Sequence, residues 1–131
     1  MNGAITGLYA ALTTFLLIVL GWRIAKLRMR HRVGLGDGGV PELQQAIRAH
    51  GNLVEYAPLA LLLLLAAELG GAAPAPVLHS LGAAFVAARV AHAFGLSRSP
   101  GRSPGRFFGT LLTWLAMLTL AVLLLARAWS A

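Results

Sequence analysis

Three residues of one segment, Arg48, Asn52 and Glu55, stand at i, i+4 and i+7. At 100° per residue of an α-helix they fall within about 60° of one another, and Gln45 lies on the same side. A second segment carries Arg89 and His92 at i, i+3, again on one helical face. A guanidinium, an amide, a carboxylate and an imidazole at such spacing suit ion pairing and anion recognition. Arginine in particular presents a planar fork that matches carboxylates and stays charged when partly buried.

The segments that carry these groups are otherwise apolar. The chain of 131 residues is 58% hydrophobic and 11% charged, against about 25% charged residues in an ordinary soluble domain. Too little polar surface remains for a water-soluble monomer. Four stretches, at about residues 1–26, 42–69, 76–96 and 105–128, are each long enough to cross a hydrocarbon core of about 30 Å as a helix. The first and last have no polar face, so water is not their neighbour. We read residues 1–131 as a single all-α integral membrane domain, a bundle of four transmembrane helices. The first stretch has no Lys or Arg before its apolar run and no clear small-x-small cleavage site, so it is expected to be a retained helix rather than a signal peptide.

The basic residues set an expected orientation. Arg23, Lys26, Arg28, Arg30 and Arg32 lie between helices 1 and 2, and Arg98, Arg102 and Arg106 between helices 3 and 4. The helix 2–3 connection has no Lys or Arg, and the C-terminus has only Arg127. The positive-inside rule then places both basic loops in the cytoplasm and both termini on the non-cytoplasmic side. The net charge of +7 does not point to nucleic acid, because the basic clusters adjoin apolar spans and lack interleaved aromatics. The connector Gly34 to Pro41 is glycine-rich and turn-forming; with no strand before it and no Lys-Ser/Thr after it, it is not a phosphate loop.

Charges inside a membrane helix cost about 2.5–3.5 kcal/mol each near the centre and normally face a bundle interior or a wet cavity. Glu55 lies about 10 Å deeper than Arg48, so a direct pair between them is not expected. Glu55 is expected to pair with Arg89 instead. That pair could simply pin helix 2 to helix 3, or it could belong to a polar pocket toward the basic ends of those helices. Arg48, Arg89, Arg106 and the basic end of helix 1 outnumber Glu55 there, which favours a bound anion, amphiphilic or peptide-like.

Other residues invite plainer readings. Pro58 removes one donor within helix 2 and kinks it at most mildly. The small residues of helix 3 (Gly82, Ala83, Ala84, Ala87, Ala88, Ala91) allow close helix packing. His50 lies about 200° from Arg48 and is expected at a helix–helix or interfacial contact, with His79 and His31 interfacial. His79 and His92 are about 20 Å apart along one helix, too far for a shared haem, and no metal site is expected. The chain has no cysteine, so it supplies no disulfide, thiolate ligand or thiol nucleophile.

The string Arg48-Ala49-His50-Gly51-Asn52-Leu53-Val54-Glu55, continued by Tyr56-Ala57-Pro58, resembles the signature of the MAPEG family, the membrane-associated proteins of eicosanoid and glutathione metabolism. Ala88-Arg89-Val90-Ala91-His92-Ala93 is similar to that family's second characteristic stretch, and the connector is most like its small bacterial branch. The resemblance implies a homotrimer in the bacterial inner membrane, with glutathione as co-substrate bound between subunits near the cytoplasmic face. It implies a transferase or peroxidase acting on hydrophobic, membrane-soluble substrates. Carried over, Arg48, Asn52, Glu55, Arg89 and His92 line or support the glutathione site, Arg28 or Lys26 supplies the basic residue at the end of helix 1, and Arg106 approaches the sulfur as the catalytic group. Gly51 and Leu96 stand where some eicosanoid-forming members have an arginine and a tyrosine. Two other readings remain open: a non-catalytic membrane protein of the same fold that binds another anion or a protein partner, and a small multidrug transporter. The last is disfavoured because helix 1 has no charge within its apolar span.

Overall fold

A computed structural model describes residues 2–98, 101 and 103–130. It contains four helices, α1 (Ala4–His31), α2 (Pro41–Leu69), α3 (Ala75–Arg98) and α4 (Pro104–Trp129), and each is long and apolar enough to span a membrane. The protein is a four-helix membrane bundle. Helices α2 and α3 pack together at its centre, α1 packs against both, and α4 lies chiefly on α3 and also touches α2. Helices α1 and α4 take the diagonal positions.

Helix α1 runs to His31, about five residues past the expected end. The extension is Leu27 to His31, rich in arginine, and cations in a last turn are favoured by the helix dipole. Arg32 then stops it in the left-handed conformation (φ 57°), with the Val33 amide donating to the Arg28 carbonyl at 3.0 Å. The connector turns where the glycines predict. Gly38 and Gly39 both have positive φ, the Gly39 amide donates to Asp37 Oδ1 at 2.9 Å, and Pro41 sits in the first turn of α2. Helix α2 continues through Pro58.

Without a hydrophobic difference between lipid and helix, close packing must hold such a bundle. At the α3–α4 crossing, Gly105 and Gly109 of α4 lie on Ala88, Ala91, His92 and Gly95 of α3, backbone against backbone. A Cβ on Gly109 would come within 2.7 Å of the Ala88 carbonyl oxygen. Gly82 of α3 accommodates the ring of Tyr9 of α1, whose hydroxyl donates to the His79 carbonyl at 2.8 Å and also meets His79 Nδ1 at 3.1 Å. His50 approaches Gly21 of α1, the helix–helix alternative of the two expected for it.

One acidic residue has a role that its sequence position does not announce. Glu68, at the far end of α2, is 1% exposed and accepts hydrogen bonds from the Ile5 amide (3.1 Å), the Thr6 amide (2.8 Å) and the Thr6 hydroxyl (2.8 Å). The first amides of α1 have no acceptors within their own helix, and a carboxylate there also meets the positive end of the helix dipole. Glu68 thus closes α1 from a different helix and fixes the two at that end of the bundle.

Candidate functional site

The polar stripe of α2 divides between two environments. Asn52 turns toward α3, where its Oδ1 accepts from Arg89 Nη2 at 2.8 Å. Glu55, 60° away around the helix axis, turns outward and is more than half exposed. The expected Glu55–Arg89 pair is therefore not formed. Arg89 is 2% exposed, held between α2 and α3 with its guanidinium carbon 5.3 Å from the centre of the Tyr56 ring. Its partners are an amide oxygen and an aromatic face, and its Nε and Nη1 have no hydrogen-bond partner among the described residues.

Glu55 instead meets Arg48, with Nη1 to Oε1 at 3.4 Å. The sequence argument against this contact used backbone rise alone. Helical side chains tilt toward the N-terminus, so Glu55 leans toward Arg48, and an extended arginine spans the remainder. Both groups are more than half exposed, so the pair is long and weakly held.

Arg106 enters from the start of α4. Ser103 caps this helix, its Oγ accepting from the Arg106 amide at 3.3 Å, and Pro104 follows in the first turn. The Arg106 guanidinium donates from Nη1 to the Gly101 carbonyl at 2.7 Å. The close α3–α4 crossing at Gly105 and Gly109, where an added Cβ on Gly109 would come within 2.9 Å of the His92 amide nitrogen, sets Arg106 on the same cavity walls as His92.

These placements converge on a polar pocket of about 190 Å³, lined by Gln44, Gln45, Arg48, Asn52, His92, Leu96 and Arg106. It joins α2, α3 and α4 and offers guanidinium, amide and imidazole groups but no carboxylate. A larger groove of about 700 Å³ adjoins it, lined by Phe107, Phe108, Leu111, Trp114, Pro104, Ser103 and Thr110 together with His92 and Arg106. His92 and Arg106 therefore stand on the boundary of a polar pocket and an apolar groove. The groove lies along the exposed face of α4, where Phe107, Phe108 and Trp114 are each more than half exposed. Trp114 Nε1 donates to the Tyr56 hydroxyl at 3.0 Å, which ties this face to the residue stacked on Arg89.

Of the residues singled out from sequence, Arg48, Asn52, His92 and Arg106 meet in one pocket. Arg89 stands behind it, in contact with Asn52, and Glu55 lies outside it on Arg48. Arg28 is not brought there: it stays at the end of α1, with Nη1 3.5 Å from the Val33 carbonyl oxygen. Arg102 lies outside the described residues. Gln44 and Tyr56 were not assigned a role from sequence, although Gln44 precedes Arg48 by four residues and Tyr56 follows Asn52 by four, so helical periodicity points to both. The aromatic lining supplied by Phe107, Phe108 and Trp114 has no motif; a helix facing lipid and one lining a groove look alike in sequence.

Comparison with known proteins bears on this arrangement. Residues 6–126 match the model of the MAPEG family. The chain is 41% identical over 125 residues to inner membrane protein YecN of Escherichia coli K12, an alignment covering 95% of this chain and 91% of that protein. YecN of Escherichia coli O6:H1 matches with the same identity and coverage.

Proposed function

Because this chain belongs to the MAPEG family, we propose that it binds glutathione in the polar pocket and transfers the thiolate to hydrophobic electrophiles, or uses it to reduce hydroperoxides, that enter from the bilayer along the α4 groove. The observation that carries this reading is the shared position of Arg106 and His92. One substrate must be anionic and polar, the other apolar, and the reacting atoms must meet where the two compartments touch.

The chemistry is that of a stabilised thiolate. A free thiol with a pKa of about 8.5 is only a few per cent ionised at neutral pH, and the thiolate is the nucleophile. Arg106 acts as the catalytic group by placing positive charge beside the sulfur; lowering the thiol pKa by two units corresponds to about 2.7 kcal/mol. In conjugation the sulfur forms a bond to an electrophilic carbon as the leaving group departs with its electron pair. Arg48, Asn52 and the two glutamines address the carboxylates and amides of the tripeptide, and Arg89 holds Asn52.

The working unit in this reading is a homotrimer. The pocket of one chain, about 190 Å³, is below the roughly 300–1,000 Å³ of ordinary small-molecule sites. Arg48 and Glu55 are half-exposed charges on a membrane helix, an arrangement that lipid disfavours and a neighbouring subunit would cover. In the trimer Glu55 and the Arg28 end of a neighbouring α1 complete the site. The relatives named as inner membrane proteins support a bacterial inner-membrane location, and the excess of Lys and Arg in the α1–α2 and α3–α4 loops supports their facing the cytoplasm.

The test is glutathione binding by calorimetry on detergent-purified protein, followed by conjugation of an aryl halide. Saturable binding that Arg48→Ala abolishes, with conjugation that Arg106→Ala lowers about 100-fold while binding persists, is the expected outcome. No binding at millimolar glutathione overturns the proposal and leaves a non-catalytic member that binds another anion. Leu96 favours that second reading, since it makes one wall of the pocket apolar where some eicosanoid-forming members have a tyrosine.

A further inference from the structure

The basic end of α1 has two faces. Arg28 points one way, while Arg23, Lys26 and Arg30, at i, i+3 and i+7, fall within about 60° of one another on the other side. These three line a concave groove of about 500 Å³ together with Leu27 and with Glu42 from the first turn of α2. Among the described residues none of the three cations makes an ion pair or a side-chain hydrogen bond, and Glu42 is the groove's one acidic lining residue. The groove carries net positive charge in a shape that can enclose an anion.

We propose that this groove binds the phosphate headgroup of an anionic phospholipid. Depth and the surface beyond the groove favour a lipid over a free phosphate. Arg23 stands about 28 Å along the helix axis from Ala4, close to one hydrocarbon thickness, and Lys26 and Arg30 follow about 5 and 10 Å further out, where their long side chains reach headgroup level. One turn further into the membrane on the same face is Val19, then Phe15, both more than 60% exposed, with Trp22 beside them at 60%. An apolar strip continuous with a cationic groove fits an acyl chain below a phosphodiester, and basic pockets between transmembrane helices recognise lipid phosphates in this way. Within one chain the site shares no lining residue with the polar pocket of α2, α3 and α4. Arg28, the α1 residue carried into the glutathione site, lies about 140° around the helix from Arg23, so lipid and glutathione would meet different faces of α1.

The experiment uses delipidated full-length protein in a non-ionic detergent, titrated with phosphatidylglycerol, phosphatidylcholine, inorganic phosphate or glutathione. Bound lipid is counted by native mass spectrometry. Phosphatidylglycerol is expected to saturate, with phosphatidylcholine and inorganic phosphate much weaker. Arg23→Gln with Arg30→Gln should weaken phosphatidylglycerol about 30-fold, taking each cation's contribution as about fivefold. The charge-matched control Arg32→Asn with Arg98→Gln, at the same end of the bundle, should change it less than about twofold. Glu42→Gln, which removes the groove's negative charge, should tighten binding about fivefold, and it keeps the proposal testable if the double variant does not fold. Equal affinity for phosphatidylglycerol and phosphatidylcholine, or equal losses in both double variants, overturns the proposal. So does inorganic phosphate binding as tightly as the lipid, or competitive displacement of the lipid by glutathione, which would assign the groove to the thiol substrate.

Discussion

Arg89 Nη2 donates to Asn52 Oδ1 at 2.8 Å, and this single bond decides which end of the Asn52 amide the polar pocket can use. A guanidinium has donors only, so the amide oxygen must face it and the NH2 group is the end left for a ligand. Asn52→Asp keeps an acceptor for Arg89 but replaces that donor with negative charge. The variant is expected to fold, because buried Arg89 gains a countercharge, yet, under the function proposed above, to bind glutathione at least 10-fold more weakly by calorimetry. Wild-type affinity in Asn52→Asp would show that the amide does not address the ligand.

Glu68 supplies a separate prediction, about stability. Glu68→Ala leaves the Ile5 and Thr6 amides and the Thr6 hydroxyl without their acceptor in a buried place. The expected cost is about 3 kcal/mol, read as a lowered thermal midpoint in detergent. Glu68→Gln keeps one acceptor oxygen and removes the charge that meets the α1 dipole, so its loss should be smaller, about 1–2 kcal/mol. Two variants as stable as the parent would show that α1 does not depend on this cap.

The α3–α4 crossing can be tested by adding one carbon. Gly109→Ala places a Cβ within 2.7 Å of the Ala88 carbonyl oxygen and 2.9 Å of the His92 amide nitrogen, backbone atoms that cannot swing aside. Destabilisation of about 1–3 kcal/mol is expected, together with displacement of Arg106 from His92 and, under the function proposed above, loss of conjugation. Gly7→Ala is the control, since nothing lies within 4 Å of the added atom and alanine is the better helix former. Its thermal midpoint should be unchanged or slightly raised.

Gly82 makes the same argument at the other end of α3. A Cβ there overlaps the Tyr9 ring, so Gly82→Ala must push Tyr9 away from His79. Tyr9→Phe removes the hydrogen bond and keeps the ring, at an expected cost of about 1 kcal/mol. Gly82→Ala should be clearly the more damaging of the two when both are melted side by side, and equal losses would show that the ring does not fill the space above Gly82.

The sequence by itself determined the membrane class, the four spans and the grouping of polar residues on α2 and α3. Those follow from composition, from runs long enough to cross a bilayer, and from the helical repeat, all of which are local properties of the chain. The pairing of the charges was not local. Rise per residue argued against Arg48–Glu55 and for Glu55–Arg89, but side-chain tilt and reach brought the first pair to 3.4 Å, while Arg89 took the Asn52 oxygen and the Tyr56 face. The work of Glu68 was hidden for the same reason: a carboxylate at one end of an apolar run gives no sign that its acceptors serve amides 62 and 63 residues away. Likewise, nothing in the sequence sets Phe107, Phe108 and Trp114 apart from the other apolar residues of the last helix. Only the glycine-mediated approach of α4 to α3 makes them the wall of a groove that shares His92 and Arg106 with the polar pocket.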